Sequence, residues 1–457
     1  MNSKKRQAVD KWLLAANGGP SLQDGIEEAG SPVNLLWRTG VTPWMPAVIR
    51  PEFVGWREEQ LGWLETVALM DLSYHMWDTF VSGPDATRLL SELSVNDYDN
   101  FAVGQAKQLV AVTQRGLLVG DGILLRHGED EYILTGRSTT QSWITYHAEK
   151  HGYKVNIVHD PDCSRDPGHI PRLFRYQVQG PNAQALIENI FGRPLPRVPF
   201  FHTTRCELNG ITFRALRHGM AGQPGYEFIG DYANHDRIKT AILEAGEDLG
   251  LVQVGALAYP TAQCESGWIP APTPAFYTDP ELLDYRRWAS LNTVDGRQPL
   301  HGSFFSPDIE DYYVNPWEIG YGKLICFDHD FLGRDALKTL KDETGRTKVT
   351  LVADPGDVRE KFGTDHFMSS GRYRVEASGN LIGVVMNCAF NNPLSTILGL
   401  AILDKAYSAP GTEVSLIMGD HPGPGTDSNL KQEFTELRAT VQPCPYNEFA
   451  RTEYRKD

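Results

Sequence analysis

Arg217-His218-Gly219-Met220-Ala221-Gly222-Gln223-Pro224-Gly225-Tyr226-Glu227-Phe228 holds three glycines and a proline and ends on a single acidic side chain. A strand from Gly210 to Leu216 enters this loop and another from Tyr226 to Ile229 leaves it. The glycines supply the positive φ and close backbone approach that a β-branched residue could not. Glu227 is thereby presented at one place. A carboxylate accepts two adjacent N–H donors, as it does from a guanidinium, so the amidine-like edge of a pterin or purine fits there. A solvated hairpin turn with an exposed acid fits the same residues.

Outward from this loop the chain repeats itself. Val81-Ser82-Gly83-Pro84-Asp85-Ala86-Thr87-Arg88-Leu89-Leu90 recurs as Val178-Gln179-Gly180-Pro181-Asn182-Ala183-Gln184-Ala185-Leu186-Ile187, each a strand end, a Gly-Pro helix start and an amphipathic helix. Each copy continues with strands joined by a tight turn and a second helix, about Thr140 to Lys150 and His235 to Leu249. Two such modules predict a duplicated α+β unit with a ligand cleft between its halves. From about Lys348, short strand-like runs (Lys348 to Val352, Leu381 to Met386, Gly399 to Leu403, Glu413 to Ile417, Leu437 to Val441) alternate with Gly/Pro turns, the pattern of a small barrel or sandwich. At the other end, a helix over about Lys4 to Ala16 is followed by an extended approach through Trp37, Trp44 and Pro46. His421 to Leu430 reads as a mobile loop.

Composition narrows the function. The 457 residues suffice for two or three domains with real cores. A net charge of −15 opposes nucleic acid or an anionic membrane as partner, so an anionic small substrate must be met by local arginines. No run of about eighteen apolar residues occurs, and Trp12-Leu13-Leu14 is too short for a signal segment, which makes the cytoplasm the expected location. Cys163, Cys206, Cys264, Cys326, Cys388 and Cys444 lie far apart with no C-x-x-C pair, so no metal site is expected.

The loop pattern Arg-x-Gly-x-x-Gly-x-x-Gly-x-Glu resembles the folate-binding loop of the aminomethyltransferase (T-protein) of the glycine cleavage system, in which the final Glu holds the pterin. Ala68-Leu69-Met70-Asp71-Leu72-Ser73-Tyr74-His75-Met76 resembles that family's Gly-Leu-Phe-Asp-Val-Ser-His-Met, and Phe331-Leu332-Gly333-Arg334-Asp335-Ala336-Leu337 its Phe-Ile-Gly-Arg-Glu-Ala-Leu. Asn96-Asp97, Gly104-Gln105 and Gly116 to Asp121 match in the same order. The resemblance implies a folate-binding region over about 1–340, with modules at about 60–165 and 170–275, and a C-terminal β-barrel-like domain over about 345–457.

Where that family has Gly-x-Gly-Ala-Arg-Asp, this chain has Gly255-Ala256-Leu257-Ala258-Tyr259-Pro260, so that Tyr259-Pro260 stands at the Arg-Asp pair. Loss of the Arg-Asp pair argues against transfer from a lipoyl-bound aminomethyl donor. Tyr259-Pro260 with Trp268-Ile269-Pro270 resembles instead the tetrahydrofolate-dependent O-demethylases of vanillate- and syringate-type aromatics. So do Arg50-Pro51-Glu52-Phe53, Ile309-Glu310-Asp311-Tyr312-Tyr313-Val314-Asn315-Pro316 and Phe327-Asp328-His329-Asp330-Phe331. The resemblance implies tetrahydrofolate as methyl acceptor, an aromatic carboxylate as substrate and no obligatory protein partner.

Demethylation of an aryl methyl ether expels a phenolate. A tyrosine hydroxyl of pKa ~10 matches the departing phenol, so Tyr259 is the candidate acid, worth roughly 10²–10⁴ in rate. By resemblance His75 faces the ring or relays the proton, Arg137 at a helix start clamps the carboxylate, and Trp44 and Tyr74 line the substrate. Glu227, Trp268, Arg217 and Asp121 are the candidate cofactor contacts. Trp44 and Pro46 stand where vanillate-type enzymes carry tyrosines, so the expected pocket is more apolar, suited to a dimethoxy ring or a chlorinated methoxybenzoate such as dicamba. Three readings compete: an aminomethyltransferase, an aliphatic demethylase of the same fold and a folate-binding accessory protein. The last has a Lys-Gly-Cys-Tyr signature that this sequence lacks.

Overall fold

The computed structural model describes residues 19–41, 44–196, 198–427 and 432–456. The helix expected over Lys4 to Ala16 lies outside these residues, as does the end of the loop expected over His421 to Leu430. The approach expected to be extended contains two short helices, Leu22–Ala29 and Pro32–Leu36. Ser21 and Asp24 form a capping box at the first, Gly30 ends it in the left-handed conformation, and Ser31 with Pro32 starts the second.

After β1 (Val67–Asp71) come β2 (Trp77–Ser82), a helix (Ala86–Glu92), β3 (Ala106–Val112), β4 (Leu118–Gly128), β5 (Glu131–Gly136), a helix (Ser138–Lys150) and β6 (Asn156–Asp160). The series then repeats as β7 (Leu173–Gln179), a helix (Ala183–Phe191), β8 (Thr203–Leu208), β9 (Ile211–Leu216), β10 (Gly225–Asp231), a helix (His235–Gly246) and β11 (Leu251–Val254). One sheet has the order β3-β4-β5-β2-β6 and the other β8-β9-β10-β7-β1-β11, the same path with β1 inserted. β1 is apolar on both faces: Ala68 and Met70 enter one core, Val67 and Leu69 another, so it belongs inside a covered sheet. Both copies need their strand-ending glycine. Gly83 and Gly180 sit at φ +125° and +137°, where a Cβ would stand 2.6 and 2.5 Å from a backbone oxygen.

The C-terminal strands are β12 (Arg346–Ala353), β13 (Met368–Ser369), β14 (Tyr373–Ala377), β15 (Asn380–Asn391), β16 (Thr396–Asp404), β17 (Glu413–Met418) and β18 (Thr435–Gln442). The order β15-β14-β17-β18-β12-β16 returns to β15 and closes a six-stranded barrel, which removes exposed edges. The five strands expected from the sequence are all present. β13 and β14 were not foreseen; β13 is two residues long, and β14 follows Arg372, carries Arg374 and has only a short apolar alternation. The faces of the two duplicated sheets meet through Leu125, Ile133, Leu216 and Ile229, and the barrel packs against β1 and the turn that carries Tyr259.

Candidate active site

The glycine loop is held from below by β7. Leu173-Phe174-Arg175-Tyr176-Gln177-Val178-Gln179 alternates apolar and polar residues, and its polar face looks toward the first sheet. Gln177 Oε1 accepts from Met220 N at 2.9 Å and Gln179 Oε1 from Ala221 N at 2.8 Å. Gly225, at φ +145°, leaves only 1.9 Å between a hypothetical Cβ and Val178 O, so no other residue fits there. From above, the Tyr454 hydroxyl accepts from Gly219 N and donates to its carbonyl.

Glu227 lies in β10, within the strand expected over Tyr226 to Ile229, and at 3% exposed it is not the solvated acid of an open turn. Its Oε1 accepts from Arg175 Nη1 at 2.6 Å and its Oε2 from Gln177 Nε2 at 2.8 Å. Arg175 also donates to Asp78 Oδ1 at 2.9 Å and Thr135 Oγ1 at 2.5 Å, which joins the two sheets through charge. Burial pushes the Glu227 carboxyl up, yet Arg175, His218 and Gln177 more than offset it and hold it below the ordinary carboxylate range. Each oxygen keeps a second acceptor direction. Arg175, Gln177 and Asp78 were missed by sequence reasoning, although the alternation of β7 already marked a polar face on a central strand.

Tyr259 opens a short 3₁₀ turn, Tyr259–Thr261, that leads into the helix Ala262–Ser266. This segment is pinned by the strap at 50–52: Ala256 N donates to Arg50 O at 2.9 Å and Leu257 N to Pro51 O at 3.0 Å. Among the described residues the Tyr259 hydroxyl has no hydrogen-bond partner, and the side chain is 6% exposed. Burial, with Glu227 adding, pushes its pKa far above the ordinary value. A hydroxyl held protonated so far above neutral pH is suited to donating a hydrogen bond, and its pKa does not match that of a departing phenol. The His75 ring lies 4.9 Å from Tyr259, edge to face, and 5.4 Å from Trp44. Among the described residues His75 Nδ1 is buried without a partner, and burial lowers the imidazole to about 4 against the pull of Asp162, Asp71 and Glu227. His75 is thus neutral at physiological pH and protonates only below about 4. The rate is expected to stay flat from pH 8 down to ~5, with no limb at the ordinary histidine value of ~6.5; kcat/KM across pH checks this.

Trp44, His75, Arg137, Tyr259 and Trp268 all line one cavity of about 600 Å³, with Met76, Trp77, Pro270 and Met368 as apolar wall. Arg137 occupies the cap position of Ser138–Lys150 itself, in extended conformation, so Ser138 and Thr139 fall in the first turn. Its only hydrogen bond among the described residues is a long one, Nη2 to Gln298 Oε1 at 3.4 Å, and it has no carboxylate partner among them. Burial lowers its pKa, partly offset by Asp295 and Asp162. Gln263 and Asn387 line the same cavity, and among the described residues Gln263 Oε1 and Asn387 Oδ1 are buried without partners; nothing in the sequence distinguished them.

Three expected contacts stand elsewhere. Tyr74 does not line the cavity: in the turn after β1 it points away from His75, and its hydroxyl meets that of Tyr232. Arg217 donates to Val198 O at 3.1 Å and Lys456 O at 2.5 Å, tying the loop to the C-terminal tail. Asp121 stands behind Trp268, accepting from its Nε1 at 3.1 Å, from Gln108 at 2.6 Å and from Tyr321 at 2.6 Å, and so fixes the indole plane. Among the described residues no group of three or more His, Cys, Asp and Glu is placed to hold a metal ion, and no helix is long and apolar enough to cross a membrane.

The chain matches the GCVT N-terminal domain over residues 39–272, just over half of its length. It is 36% identical to the syringate O-demethylase of Sphingobium sp. (strain NBRC 103272 / SYK-6), over 95% of this chain and 97% of that one. It is 27% identical to the sesamin methylene transferase of Sinomonas sp. (strain No.22), over 86% and 89%. The solved aminomethyltransferase T of the Bartonella henselae glycine cleavage system superposes with TM-score 0.62 at 18% identity, over 93% and 96%, which establishes the shared fold. The family match over half of the chain and the identity to these relatives over most of it show an enzyme: the chain belongs to the GCVT aminomethyltransferase family, on its O-demethylase branch.

Proposed function

We propose that this enzyme moves the methyl group of a methoxybenzoate to tetrahydrofolate, giving the phenol and 5-methyltetrahydrofolate. The observation that carries the reading is Arg137, without a carboxylate partner among the described residues and open to the same cavity as Tyr259 and His75. A benzoate carboxylate provides the missing counterion in bidentate form. Tetrahydrofolate supplies N5, whose lone pair forms the new N–CH₃ bond as the C–O bond breaks, the C–O pair going to oxygen and the N–H proton ending on the phenol. The chain's own part is to donate a hydrogen bond from Tyr259 to the departing oxygen, to hold the ring between Trp44 and Trp77, and to exclude water. Neutral His75, with a buried unpartnered nitrogen, accepts or passes the proton. The Trp and Met wall suits a dimethoxy or chlorinated ring, and the cytoplasm suits a folate cosubstrate.

Glu227 and Gln177 offer the pterin an acceptor pair and an amide, which fits the cofactor, and Trp268 offers a flat surface. On the same face of β10, four residues beyond Glu227 and so about 13 Å along the strand, a groove of about 300 Å³ opens between the sheets at Asp231, His127, Arg205 and Arg214. Arg205 and Arg214 are direct cross-strand partners, a repulsive arrangement that an anion relieves. This groove is the proposed seat of the glutamate tail. Arg214→Gln is expected to raise the KM for tetrahydrofolate roughly tenfold and to leave a tailless reduced pterin unaffected, as parallel titrations of the two acceptors would register.

The test is an anaerobic assay with tetrahydrofolate and vanillate, syringate, 3-O-methylgallate, 2-methoxybenzoate and dicamba. Stoichiometric phenol and 5-methyltetrahydrofolate from any of them is the expected result. Folate binding without demethylation of any ring defeats the proposal.

A further inference from the structure

Arg372 is a second guanidinium at the cavity, behind its wall. It is 3% exposed. Nη1 donates to Ser370 O at 2.6 Å and Met386 O at 3.3 Å, Nη2 to Ala271 O at 2.8 Å and Thr273 Oγ1 at 3.2 Å, and the backbone N to His301 O at 2.7 Å. Ser370, Ala271 and His301 all line the cavity. Among the described residues Nε is buried with no partner and Arg372 has no carboxylate partner. Burial lowers it to about 10, with Arg137 pushing the same way and only the Tyr312 hydroxyl opposing. A buried charge without a counterion is costly, and neutral donors would satisfy the same carbonyls.

The charge inventory of the cavity gives that cost a purpose. Arg137 and Arg372 supply two buried positive charges; buried Asp295 and Asp121 act on Arg137 alone among the two, and Asp162 and Arg165 stand at exposed positions. His301, pushed down by burial, is neutral. A methoxybenzoate brings one negative charge, which Arg137 meets. The second negative charge exists only as the C–O bond breaks and its electron pair settles on oxygen. We propose that Arg372 sets the field of the cavity for that second charge, stabilising the departing phenolate without touching it. The inference rests on the methoxybenzoate reading above. It makes the site complementary to the charge-separated transition state, in which the aryl part approaches a dianion as N5 turns cationic, rather than to the monoanionic substrate.

The consequence is a dependence on leaving group. Wild type, Arg372→Met and Arg372→Lys are compared on methoxybenzoates whose phenols span a range of acidity, with and without ring chlorines. Arg372→Met is expected to lower kcat roughly 10- to 100-fold with KM little changed, most for the least acidic phenols, so that log kcat falls more steeply with phenol pKa. Lysine restores most of the loss. A uniform loss across the series, or one confined to KM, overturns the proposal and leaves Arg372 as a tie between barrel and loop. Should Arg372→Met fail to fold, the ionisation of the bound phenol product is read by absorbance in Tyr259→Phe protein, which lacks the hydroxyl donor. A bound phenol at least tenfold more acidic than the free one is expected; an unshifted phenol overturns the proposal. If no methoxybenzoate turns over and no phenol binds, the functional reading fails and takes this inference with it, whereas turnover with an unshifted phenol defeats the role of Arg372 alone.

Discussion

Tyr259→Phe protein is expected to bind both substrates normally and to turn over roughly 10²–10³ times more slowly than wild type. The hydroxyl has no partner among the described residues and sits at the cavity wall beside the His75 ring, so its removal breaks no internal hydrogen bond and the melting temperature should hardly move. The effect falls on kcat because the hydroxyl has little to do while the ether is intact. An ether oxygen is a weak acceptor and a phenolate a strong one, so the hydrogen bond strengthens as the reaction proceeds. Burial keeps the tyrosine protonated far beyond neutral pH, so no basic limb from its ionisation should appear in the wild-type profile. A loss confined to KM would mean that Tyr259 orients the ring instead, and a loss under threefold would assign the departing oxygen to His75.

Much of this site could be read from the chain because it is built on local rules. The two Gly-Pro repeats encode a backbone requirement, a positive φ against a neighbouring carbonyl, that both copies meet in the same way. Tyr259, His75, Trp44, Arg137 and Trp268 were legible as departures from, or matches to, a family pattern, and one cavity gathers all five. What could not be read depends on which way a side chain turns. Tyr74 and His75 are adjacent in sequence yet meet different neighbours, Tyr232 for the first and Trp44 and Tyr259 for the second, which proximity along the chain does not reveal. Arg217, expected at the cofactor, donates to Lys456 O, 239 residues away, a contact that nothing in its local sequence announces. The place of β1 in the second sheet is equally non-local, since its partners β7 and β11 begin more than a hundred residues later.

Arg175→Met should be the most destabilising single change near the site, by about 3–5 kcal/mol out of a total that for a domain is only about 5–15. The guanidinium is 5% exposed and lies between Asp78 of the first sheet and Glu227 of the second. Methionine fills much of the volume but leaves two buried carboxylates facing each other without a cation. Burial already raises Asp78 despite Arg175, and without the arginine both carboxyls rise above their unfolded values. A carboxyl raised in the folded state contributes stability below its unfolded pKa and loses it as pH climbs. The deficit of the variant should therefore be small near pH ~4.5 and full by pH ~8, as urea titrations at the two pH values would reveal. The same variant separates structure from function at Glu227. Where it is acidic enough to fold well, Glu227 is protonated and one of its oxygens becomes a donor; it then no longer offers the two acceptors that a pterin edge needs, so folate affinity stays low even where stability returns. Recovery of both together would show that Arg175 only holds the sheets, and that Glu227 does not depend on it for its charge.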